Sequence, residues 1–239
     1  MRKTMLENKS NWRYINSMKK IVIFMFFAAV TASLSAQADI FKIAPGAVEQ
    51  LESLLNKPAM VKPALATPLG KNWFTLETDA HVFTEGVSVR QVADVFLDIE
   101  NQAKFFDGKK SKITASRVNS GTGESLIDYV SISIIIGIQL QTPYRASVNI
   151  IADTSTMFAL DIAQIPQNSE SNGKIKNLYA PKYVEEITIN GKKYTYIRFY
   201  TIMDINASIL PGAKGVLEKN SGPTNEEALS MAIVAAKTK

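Results

Sequence analysis

The chain holds one histidine and no cysteine, so acid-base, thiolate and soft-metal chemistry have little to draw on. His81 sits between Ala80 and Val82 in a strand-like run, where an imidazole reads as a structural hydrogen-bonding group rather than a general base. The run Gly121-Thr122-Gly123-Glu124-Ser125 holds glycines and a serine but lies between two strand-like segments. It therefore reads as a hairpin turn, not as the strand-to-helix elbow that a nucleophilic serine or a phosphate loop requires. Asp94, Asp98 and Glu100 cluster without a His or Cys and without calcium-loop spacing, which points to a solvated helix face. No catalytic residue, metal ligand or cofactor is predicted. Arg198 falls between Tyr196 and Tyr200 on the strand face opposite Phe199, and reads as an exposed arginine near Glu185. Asp128 is the one charge on the apolar side of its strand. It either meets a ligand hydroxyl or sits near an exposed strand end.

Charge and cysteine usage narrow the partners. Lys19-Lys20, the apolar run 21–32 and Ala36-Gln37-Ala38 before Asp39 have the pattern of a secretory signal peptide, residues 1–38. Its apolar run is too short for a membrane span, which needs about 20 residues. Translation from Met18 would fit the pattern as well as translation from Met1. The leader carries six Lys/Arg and one Glu, so subtracting from 27 basic and 22 acidic residues leaves 21 of each in the remainder. Without surplus positive charge, nucleic acid is not an expected partner. A periplasmic or secreted protein without a stable span is expected, and roughly 200 residues suffice for a core without disulfides.

The elements follow from periodicity. Residues 47–55 read as a short helix with Val48, Leu51, Leu54 and Leu55 on one face. Pro58, Pro63 and Pro68 then make 57–71 a connector, so 39–72 is an N-terminal extension. Residues 73–83 form a strand. Ser88 caps a helix carrying Val89, Val92, Ala93, Phe96 and Leu97, and a second short helix with Ile99, Ala103, Phe105 and Phe106 ends at Asp107-Gly108. Strands follow at 112–118, 124–140, 144–152, 157–165, 183–189 and 192–205, with a loop at 166–174. In 124–140 the even positions are apolar and Ser125, Ser131, Ser133 and Gln139 take odd ones, which predicts the even face buried, with a bend or bulge at Gly137. Asn190-Gly191 predicts a hairpin pairing Ile187 with Tyr194 and Val184 with Ile197. The chain ends in a helix at 225–237, preceded by flexible breaks at Gly212, Gly215 and Gly222-Pro223.

The stretch VADVFLDIENQAKFFDG, residues 92–108, resembles the START-like, or Bet v 1-like, superfamily of lipid-transport and polyketide cyclase/dehydratase proteins. Asp98, Glu100-Asn101 and Phe105-Phe106 match its pattern, while Asp107 stands where the family usually has proline. The resemblance covers 73–239. It implies an α+β helix-grip fold: a curved antiparallel sheet of about seven strands around a long C-terminal helix, with two short helices after the first strand. It also implies a hydrophobic pocket on the concave face. The aliphatic faces assigned to that pocket are Ile132, Ile134 and Ile136, Val148 and Ile150, Phe158 and Leu160, Ile197, Phe199 and Met203, with Leu229 and Ile233 on the helix. An apolar small molecule or lipid is the expected partner, with the oligomeric state open. Three functions fit this reading: a carrier holding its ligand non-covalently, an enzyme of the cyclase/dehydratase type, and an interaction module with a filled core.

Overall fold

The computed structural model describes residues 40–118, 125–165 and 175–239. The expected leader, the expected turn at 119–123 and the expected loop at 166–174 lie outside them. A 3-10 turn at Val48–Gln50 leads into α1, Leu51–Leu54, and then into β1, Ala59–Met60, and β2, Leu65–Gly70. Both strands pair with β3, Trp73–Thr84, so the stretch expected as a connector belongs to the sheet. Pro68 is tolerated because β2 pairs on one side only, where a missing N–H leaves no ladder bond open.

Helix α2, Val89–Leu97, starts where Ser88 accepts a hydrogen bond from Gln91 N and the Gln91 side chain accepts one from Ser88 N. That reciprocal box satisfies two donors that the first helical turn leaves open. A 3-10 turn, Ile99–Asn101, and α3, Gln102–Phe105, complete the pair of short helices.

The remaining strands are β4, Ser111–Val118; β5, Ser125–Ile135; β6, Ile138–Asp153; β7, Met157–Gln164; β8, Ile175–Tyr179; β9, Lys182–Ile189; and β10, Lys192–Asn206. They form one antiparallel sheet in the order β1-β3-β10-β8-β7-β6-β5-β4, with β9 between β10 and β7. Ten strands are present among the described residues where about seven were expected, the additions being β1, β2 and β8. The Asn190-Gly191 hairpin pairs Ile187 with Tyr194 and Val184 with Ile197, and both turn residues have positive φ.

Two expectations fail in physically instructive ways. The segment read as one strand over 124–140 is a hairpin, β5 and β6, turning at Ile136-Gly137 with φ of 47° and 79°. Its buried face is also the odd one, since Ile127, Tyr129 and Ile135 are buried while Ile136 is 53% exposed. The C-terminal helix, α4, runs without a break over Ala213–Ala236. Gly222 is a point of close approach, because a Cβ there would lie 3.1 Å from Met60 Cγ. Pro223 is absorbed within the helix at the cost of one backbone hydrogen bond.

Candidate functional site

Helix α4 lies along the concave face of the sheet and is fastened at several points. Glu227 accepts backbone hydrogen bonds from Lys109 (3.1 Å), Lys110 (2.6 Å) and Ser111 (2.8 Å). Gly108 makes this possible, since a Cβ there would meet the Glu227 carboxylate at 2.5 Å. Glu226 accepts from Met60 N, Glu218 accepts from Ala66 N, and Asn225 Nδ2 donates to Thr78 Oγ1. A helix tied by three carboxylates is a fixed wall rather than a hinged lid.

Between this wall and the sheet is a cavity of about 160 Å³. Phe96, Leu160, Ile162, Leu178, Phe199 and Ile205 supply an apolar part of its lining. Ser111, Ser131, Ser133, Thr142, Thr201 and Thr224 add hydroxyls, and Ala228 and Asn225 close it from α4. Tyr129 and Tyr144 stack with ring centroids 5.3 Å apart on one side. Burial pushes both phenols well above the ordinary tyrosine range, so they remain neutral donors at every physiological pH. Lys182 also lines the cavity, with Nζ 4.2 Å from the Phe199 ring centroid.

A curved antiparallel sheet closed by a C-terminal helix, with two short helices after β3 and a cavity between, decides the architecture. The fold is a helix-grip. No family model matches the chain, and no curated protein matches it. Solved structures similar in shape include human STARD10, at 10% identity over 73% of each chain with a TM-score of 0.49. The Zhui aromatase/cyclase from Streptomyces sp. R1128 is similar at 9% identity over 66% of this chain and 92% of that one, TM-score 0.46. A STAR-related lipid transfer protein from Xanthomonas axonopodis is similar at 8% identity over 71% and 99%, TM-score 0.41.

Of the residues assigned from sequence, the cavity is lined by Leu160, Phe199 and Met203. Val148, Phe158, Ile197, Leu229 and Ile233 are buried but do not line it. Phe158 instead stacks on Phe96, and Leu229 and Ile233 belong to the core packed against it. Ile132, Ile134 and Ile136 do not line it because the cavity takes the odd positions Tyr129, Ser131, Ser133 and Ile135, and successive strand residues face opposite ways. Ile150 is 51% exposed beside a bulge in the β6-β7 pairing. What sequence reading missed is the hydroxyl lining and Lys182. The signal was present in the Ser131-x-Ser133 alternation, read there as a solvent face.

The polar residues weighed from sequence lie outside the cavity. Arg198 is only 6% exposed, contrary to the exposed arginine expected, and two residues away on the same face of β10 the Tyr196 hydroxyl meets Ala44 N. It donates to Asp79 from Nε at 2.9 Å and from the terminal nitrogen at 2.7 Å. Burial raises the Asp79 carboxyl, but His81 and Arg198 more than offset that and hold it below the ordinary range. His81 Nε2 lies 3.2 Å from Asp79, and Nδ1 lies 2.7 Å from the Tyr196 hydroxyl, which also accepts from Ala44 N. Asp128 is paired at 2.6 and 2.8 Å with Arg145, its cross-strand neighbour. Asp94 pairs with Arg90, Asp98 with Lys239 and Glu100 with Arg117, so all three clustered acids are in ion pairs.

Proposed function

We propose that the protein holds an apolar small molecule or lipid non-covalently in the cavity between the concave sheet and α4. The supporting observation is the cavity itself, whose 160 Å³ is about ten times what one water needs on the same measure. An apolar wall with a few hydroxyl and phenol groups suits a ligand that is mainly hydrocarbon and is oriented by a few polar contacts.

Ala228 offers the direct test, because it lines the cavity from a helix that is held in place independently. Ala228→Trp is expected to abolish uptake of a fluorescent fatty acid while shifting the melting temperature by only a few degrees, since the indole grows into open space. Native mass spectrometry of protein from its own host would show a copurified ligand directly. A protein that carries none and binds no member of a broad apolar panel would overturn the reading.

We also propose export to the periplasm or the exterior, supported by the charged start, apolar run and Ala-Gln-Ala of residues 1–38. N-terminal sequencing of exported material should begin at Asp39. An intact leader in the membrane fraction would contradict this. Among the described residues, no helix is long and apolar enough to cross a membrane.

A further inference from the structure

Lys182 has no evident structural use. It is the first residue of β9 on the concave side, and its direct cross-strand partners are Phe199 on β10 and Leu160 on β7, both of which line the cavity. A lysine flanked by an aromatic and an aliphatic side chain gives up water without receiving a hydrogen-bond acceptor. Its ammonium lies over the Phe199 ring face, and among the described residues it forms no ion pair with a carboxylate. Burial pushes its pKa down to about 7, as expected of a cation with no counter-ion.

The rest of the lining sharpens the point. No Asp or Glu lines the cavity among the described residues, so Lys182 is its single charged group there. The other polar groups are hydroxyls, phenols and amides, all of which can donate to an anion. Thr201, on the same face of β10 and two residues from Phe199, is a diagonal neighbour of Lys182 and places a hydroxyl on its side of the cavity. A low-polarity chamber containing one cation and several neutral donors favours a ligand that brings one negative charge. A phosphate dianion would leave a charge unmatched, whereas a carboxylate matches one ammonium.

Building on the apolar-ligand reading above, we infer that the ligand is a monocarboxylate, an apolar acid whose carboxylate pairs with Lys182 Nζ while its hydrocarbon fills the space beside Leu160 and Phe199. The pair replaces the water lost by both ions with a charge-assisted hydrogen bond inside the cavity, where it counts for more than at the surface.

The test compares decanoic acid with decanol and methyl decanoate by isothermal titration calorimetry near neutral pH. The acid is expected to bind at least about tenfold more tightly than either neutral probe. Lys182→Met should erase that preference while leaving decanol binding unchanged, which also reports that the cavity has stayed intact. Lys182→Arg should keep the preference, and Lys237→Met, at an exposed position, should not alter it. If acid and alcohol bind equally to the unmodified protein, or if the preference survives Lys182→Met, the carboxylate assignment is wrong while the apolar cavity stands. If no probe binds and no other apolar compound does, both fall together.

Discussion

Asp79→Ala is expected to lower the unfolding free energy by about 2–4 kcal/mol, the cost of leaving a buried guanidinium without its counter-ion. The figure sits toward the lower end because the Asp79 side chain is itself partly exposed, whereas Arg198 is almost wholly covered. The exposed pair of Arg117 and Glu100 provides the contrast, and Arg117→Ala should cost less than about 1 kcal/mol. The pH dependence has a definite sign. The Asp79 carboxyl titrates below its ordinary value in the folded chain, so its contribution is complete above about pH 4 and is lost as acid is added through the lower, folded-state value. Urea titrations between pH 6 and pH 2 should show that decline in the unmodified protein and a shallower one in Asp79→Ala. Equal slopes would mean that the carboxylate is not held by Arg198 in solution.

Leu229→Ala is expected to cost about 3 kcal/mol, because this fully buried α4 side chain would leave a void that the fastened helix cannot collapse to fill. Val234 on the same helix is 65% exposed, and Val234→Ala should change stability by no more than about 0.5 kcal/mol. Chemical denaturation of the two variants measures which face of α4 meets the sheet. Similar costs for both would contradict the packing described.

Local chemistry is enough to read several elements from the sequence. Ser88 and Gln91 form the box that starts α2, and Asn190-Gly191 supplies the two positive φ values that its hairpin turn demands. Elsewhere a sound rule met a competing effect. Polar residues in a half-buried strand normally face water, yet in β5 the face carrying Ser131 and Ser133 turns inward, toward a chamber with polar lining. The turn at Ile136 was hidden because a β-branched residue rarely adopts positive φ, and three consecutive isoleucines look like continuous strand. Pro58, Pro63 and Pro68 masked β1 and β2, since an edge pairing excuses a proline that a central strand would reject. The breaks expected at Gly215 and Gly222-Pro223 do not interrupt α4, and Gly222 instead makes room for Met60 across the interface, a contact no local pattern encodes. Lys182 went unremarked because its meaning depends on Phe199 and Leu160, which only the sheet order brings beside it.

The long pairing of β3 with β10 bears on how the chain acquires its shape. Asp79 and Arg198, joined across that ladder, are 119 residues apart in sequence. Loop closure on that scale must be met before the ladder gives anything back, which makes assembly of the central sheet slow relative to helix formation. A nascent chain that has not yet produced 192–206 leaves the β10-facing edge of β3 without its partner. Such an intermediate stays open and adhesive, suited to a holding chaperone and unsuited to early compaction.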